Sequence, residues 1–85
     1  MSFKLTIVAP SGKIYEDTID SIAVPGTEGA FEVYSKHTPI ISALKAGKAR
    51  VRKQGQETTY EITSGILEVD LEHNATLLAD QATAV

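Results

Sequence analysis

Apolar and polar residues alternate with a period of two along most of this chain. Phe3, Leu5 and Ile7 hold one phase, and Lys4, Thr6 and Val8 the other. Ala49 and Val51 alternate with Lys48, Arg50 and Arg52. Tyr60 and Ile62 alternate with Thr59 and Glu61. Leu67, Val69 and Leu71 alternate with Glu68, Asp70 and Glu72, and Ala75, Leu77 and Ala79 close the series. Such alternation predicts strands with one buried face. Turn residues separate the runs at Pro10-Ser11-Gly12, Gln54-Gly55, Ser64-Gly65 and His73-Asn74, where Asn74 is expected to take the left-handed conformation. The residues alone therefore predict about eight or more short strands, the pattern of an all-β sandwich or barrel.

Two places break the pattern. Ile14 is in phase with Ile22 and Val24, whereas Tyr15 and Ile19 are not. The slip predicts a bulge or bend between Asp17 and Ser21, both aspartates there being poor strand formers. Near the end, Asp80 is placed to cap a short helix over Gln81–Ala84. The richest stretch is Val24–Pro39. It holds two of the three prolines, Pro25 and Pro39, in two turn segments flanking a strand from Phe31 to Val33.

Composition narrows the class. At 85 residues and 42% apolar, one modest core is available. There is no cysteine, so no disulfide or thiolate metal site. The net charge of −3 argues against a nucleic-acid partner. No apolar run approaches the roughly 20 residues of a spanning helix, and the first residues lack a signal-peptide core. A cytosol-facing chain is expected, reaching a membrane only through a partner. Chemistry is sparse. His37 and His73 lie in turns and lack metal-site spacing. Gly26-Thr27-Glu28-Gly29 lacks the remainder of a phosphate loop, and Ser64-Gly65 lacks a nucleophile-elbow frame. Nothing in the pattern argues for catalysis.

Five segments, in order, resemble the epsilon chain of F-type ATP synthases. They are Leu5-Thr-Ile-Val-Ala-Pro, Val24-Pro-Gly-Thr-Glu-Gly-Ala-Phe-Glu-Val, His37-Thr-Pro-Ile-Ile-Ser-Ala-Leu-Lys-Ala-Gly, Ser64-Gly-Ile-Leu-Glu-Val and Ala75-Thr-Leu-Leu-Ala-Asp. The resemblance implies a flattened antiparallel β-sandwich of about ten strands over residues 1–85. It implies a rotor subunit of the central stalk that links gamma to the c-ring, without a cofactor or active site. On this likeness Glu28, Gly29, Ala30 and Phe31 match the c-ring contact. His37, Pro39, Ile41 and Ser42 match the gamma contact. The implied location is peripheral, on the cytoplasmic face of the inner membrane.

Three departures accompany the likeness. Ala30 stands where an acidic residue is frequent, and Ser35-Lys36 replaces the usual Pro-Gly before the histidine. The family's C-terminal helical hairpin is not expected within these residues, so neither ATP binding nor hairpin-mediated inhibition is. The competing reading is a free-standing sandwich or carrier domain that binds a small ligand. Its modified residue would be Lys45 on an exposed hairpin, without the acidic neighbour such lysines have.

Overall fold

A computed structural model describes residues 1–85 as two five-stranded sheets packed face to face. The strands are β1 (Phe3–Ala9), β2 (Gly12–Ile19), β3 (Ser21–Val24), β4 (Phe31–Tyr34), β5 (Ile40–Leu44), β6 (Gly47–Lys53), β7 (Gln56–Ile62), β8 (Gly65–Val69), β9 (Ala75–Ala79) and β10 (Ala82–Ala84). One sheet has the order β2-β1-β9-β8-β5, the other β10-β7-β6-β3-β4. Pairing is antiparallel except where β1 runs parallel to β9.

The alternation becomes the core. Leu5, Ile7, Val33, Val51, Ile62, Leu67 and Leu77 are buried between the sheets, while their sequence neighbours are more exposed; Ile22 is buried beside Ser21, which is buried as well. Removing this apolar area from water is the main drive for closing the two sheets on each other.

The phase slip before Ser21 is a sheet change. β2 belongs to one sheet and β3 to the other, and Asp20 is the corner. Changing sheets reverses which side of the strand is buried, so Ile19 and Ile22 both reach the core. The bulge lies earlier: Ile7 pairs with Tyr15 and Val8 with Lys13, leaving Ile14 as the extra residue. Asp20 is held by its amide, which donates to the Arg52 carbonyl at 2.8 Å, and its carboxylate accepts the Gln54 amide at 2.8 Å. Lys53 reaches across to Asp17 at 2.6 Å. These bonds tie β2 to the β6–β7 hairpin, whose turn has positive φ at both Gln54 and Gly55.

Three other expectations are corrected. Ala82–Ala84 is a strand paired with Tyr60–Ile62 rather than a helix. Asp80 caps nothing; its carboxylate accepts the Ser64 hydroxyl at 2.6 Å, clasping two corners where the chain changes sheets. In the β8–β9 turn His73, not Asn74, takes the left-handed conformation, with φ 66°. Asp70 explains this, because its Oδ1 accepts the amides of both Glu72 and Asn74 and folds the turn around itself. Leu71 consequently leaves the strand and stands 85% exposed.

Candidate partner-contact surface

The first candidate loop, Pro25–Ala30, is rooted in β5. Gly26 bridges Leu44, the Thr27 amide donates to the Ala43 carbonyl at 3.0 Å, and the Lys45 amide donates to the Pro25 carbonyl at 2.9 Å. Pro25 and Gly26 are buried, whereas Glu28, Gly29 and Ala30 form an exposed tip. The tip closes through the Gly29 amide, which donates to the Gly26 carbonyl at 3.0 Å. Gly29 has φ 131°, where a side chain is disfavoured. A Cβ on Gly26 would lie 2.6 Å from the Gly29 carbonyl and 2.9 Å from the Phe31 ring. Phe31 is thus half-buried support beneath the tip, packed on the core, while the three preceding residues face solvent.

The second loop, Ser35–Pro39, enters β5 from its other end. Lys36 takes φ 63°, which makes the turn without the glycine usual at such a position. His37 is half-buried, and its Nδ1 lies 2.7 Å from the Thr38 carbonyl. His73 Nδ1 lies 3.0 Å from the His37 carbonyl. A carbonyl can only accept, so each ring carries its proton on Nδ1 in these bonds. Pro39 is exposed and Ile41 is 76% exposed. Ser42, one residue on, follows the inward phase of Ile40 and Leu44 and is half-buried. Ile41 and Ser42 therefore project to opposite faces of the strand, and a flat partner cannot cover both.

The two loops are held apart. One is rooted at Ala43–Lys45 and the other at Ile40, so four residue steps along β5, about 13 Å at roughly 3.3 Å per residue, separate them. Between the second loop and the β8–β9 turn runs a groove of about 750 Å³. Pro39, Ile40, Ile41, Val69 and Leu71 line it together with the carboxylates Glu68, Asp70 and Glu72. Sequence reasoning placed Leu71 in a strand core and so missed this groove. The signal was Asp70, whose short carboxylate folds a five-residue turn, Asp70–Asn74, instead of continuing the strand.

Lys45 is exposed, but it is not on a hairpin. β5 and β6 lie in different sheets, and Lys45 sits in the corner between them with its amide bonded to Pro25. The presented-lysine geometry of a carrier domain is absent at this position.

The described geometry is thus a two-sheet all-β domain with two loops rooted at opposite ends of one edge strand. Residues 2–85 match the family described as ATP synthase, Delta/Epsilon chain, beta-sandwich domain, and the chain belongs to that family. It is 39% identical over 83 residues to the ATP synthase epsilon chain of Sulfurovum sp. (strain NBC37-1), covering 96% of this chain and 64% of that one. It is 34% identical over 70 residues to the epsilon chain of Gloeobacter violaceus, covering 82% and 53%. The chain thus spans about half to two thirds of the length of these relatives. In fold it is similar to a chain of the Euglena gracilis mitochondrial ATP synthase OSCP/F1/c-ring structure, with a TM-score of 0.92 at 20% identity, covering 98% of this chain and 53% of that one. A chain of the Tetrahymena thermophila mitochondrial ATP synthase central stalk and c-ring gives a TM-score of 0.80 at 13% identity, covering 98% and 66%.

Proposed function

We propose that this chain is a rotor subunit of a proton- or sodium-translocating F-type ATP synthase, linking gamma to the c-ring so that ion flow drives ATP synthesis. The observation that carries this reading is the separation of the two loops along β5, joined to membership of the delta/epsilon family. One end presents Glu28, Gly29 and Ala30 to the ring. The other presents His37, Pro39 and Ile41 to gamma. Torque has to pass between these ends without loss. A sandwich with paired backbone groups and a close-packed core transmits it better than a flexible segment. The chain itself performs no catalysis in this reading; it works as a non-catalytic part on the cytoplasmic face of the membrane, held there by the ring.

Reconstitution tests this. An ATP synthase assembled without the chain is expected to lose coupled, ion-driven synthesis, and adding the chain back is expected to restore it. Normal assembly and coupling in its absence would overturn the reading.

A further inference from the structure

The sheet that contains β7, β6, β3 and β4 carries on its outer face a polar trough that neither loop uses. It holds about 420 Å³ and is lined by Ser21, Ala23, Glu32, Arg50, Arg52 and Glu57. The register builds it. Ser21 lies between Tyr34 and Arg52, and Ala23 lies between Glu32 and Arg50. Residues opposed across an antiparallel pair share one face of the sheet. Two small side chains on β3 therefore form a floor between taller rows on β4 and β6.

The floor carries an unused donor. Ser21 is 2% exposed, yet its hydroxyl makes none of the side-chain hydrogen bonds of the chain. No fully enclosed side-chain polar atom lacks a partner, so this hydroxyl opens into the trough rather than being sealed beneath it. Its hydrogen bond must come from whatever fills that space.

The walls differ in charge. On the β6 side two guanidinium groups share one carboxylate: Glu57 lies 3.8 Å from Arg50 and 3.6 Å from Arg52. The other ion pairs of the chain close to 2.6–2.9 Å. Glu57 thus leaves both forks of donors open and a net positive charge on this wall. On the β4 side the Glu32 carboxylate accepts the Tyr34 hydroxyl at 2.8 Å. Two strand spacings, about 9.6 Å, separate the backbones of β4 and β6, which sets Glu32 on the far side of the trough.

We propose that this trough is an anion site, in which Arg50, Arg52 and the Ser21 hydroxyl hold a tetrahedral oxyanion of the phosphate class. Guanidinium forks match phosphate oxygens two at a time, and the hydroxyl adds a donor from below. The site uses none of the loop residues and does not depend on the rotor reading. Both guanidinium groups are more than half exposed, so the binding is weak, with a Kd on the order of 1 mM.

Titration with inorganic phosphate, at an ionic strength held constant with chloride and followed by backbone amide shifts, tests it. Saturating shifts are expected at residues 21–23 and 50–52. Arg52→Gln is expected to weaken the affinity about tenfold. Ser21→Ala is expected to weaken it about threefold and to leave the melting temperature unchanged, because it deletes no hydrogen bond of the fold. Glu57→Gln, which removes the competing carboxylate, should tighten binding. Lys4→Gln on the other sheet should leave it unchanged. Shifts that do not saturate by about 20 mM phosphate would overturn the proposal. So would an affinity that is the same in Arg52→Gln or in Ser21→Ala as in the unaltered chain.

Discussion

The His73 ring lies 3.0 Å from the His37 carbonyl, joining two turns that are 36 positions apart in sequence. One of those turns opens β5 and carries the candidate gamma contact. The other carries Leu71. That bond ties the second loop to the β8–β9 turn, next to the end of the backbone pairing of β5 with β8.

Replacing His73 with Phe removes that donor and keeps the bulk. Loss of one half-buried hydrogen bond is expected to cost about 1 kcal/mol in urea denaturation. Hydrogen exchange should accelerate at the amides of the 36–41 segment more than in β1 or β9. His73→Asn, which tolerates the left-handed backbone, should recover part of the stability but not the protection of that loop. Uniform acceleration across the chain would show that the bond does not hold the loop locally.

The corner at Asp20 is expected to be worth more than its exposure suggests. Asp20→Ala deletes the acceptor for the Gln54 amide and loosens the tie between β2 and the β6–β7 hairpin. A loss of about 1 kcal/mol is expected in chemical denaturation. Thr59→Ala, away from the corner, serves as the comparison and should cost less.

The tip of the first loop depends on two glycines for different reasons. Gly26→Ala drives a methyl into the Gly29 carbonyl and the Phe31 ring, and should cost about 1–3 kcal/mol with displacement of the tip. Gly29→Ala meets nothing within 4 Å but forces a side chain onto φ 131°, at a cost of about 1 kcal/mol. Thermal melting of both variants checks the order; a larger loss at Gly29 would contradict it.

Acid titration isolates another contact. Hydrogen bonds from Lys13 and Lys4 hold the Glu16 carboxyl down to about 2, against an ordinary value of 4.5. A depressed acid favours the ionised folded state. Its contribution is therefore complete above pH 4.5 and disappears as the pH falls toward 2. The difference in melting temperature between the unaltered chain and Glu16→Gln should be constant above that window and shrink within it. A difference that does not change with pH would mean the lysines add nothing at this surface site.

Local alternation made β1, β6, β7, β8 and β9 readable, because each buries one face against a single core. What stayed hidden was non-local. Nothing near Asp20 distinguishes a bulge from a change of sheet, since both invert the phase. The parallel pairing of β1 with β9 joins the two ends of the chain and leaves no local mark. Ala82–Ala84 has helix-favouring alanines, yet the free edge of β7 captures it as a strand. The candidate contacts were legible as loops, but their roots at the two ends of β5 were not. Phe31 and Ser42 were consequently grouped with exposed neighbours whose direction they do not share.

The central claim is that the two ends of β5 meet different partners. The chain has no cysteine, so a single one can be placed at either end without ambiguity. Glu28→Cys and Ile41→Cys, each carried in an assembled ATP synthase and treated with a short thiol-reactive crosslinker, test the claim directly. The first is expected to capture the c-ring subunit and the second gamma, with neither giving the other product. Capture of one and the same subunit from both positions, or of neither partner from either, would contradict it.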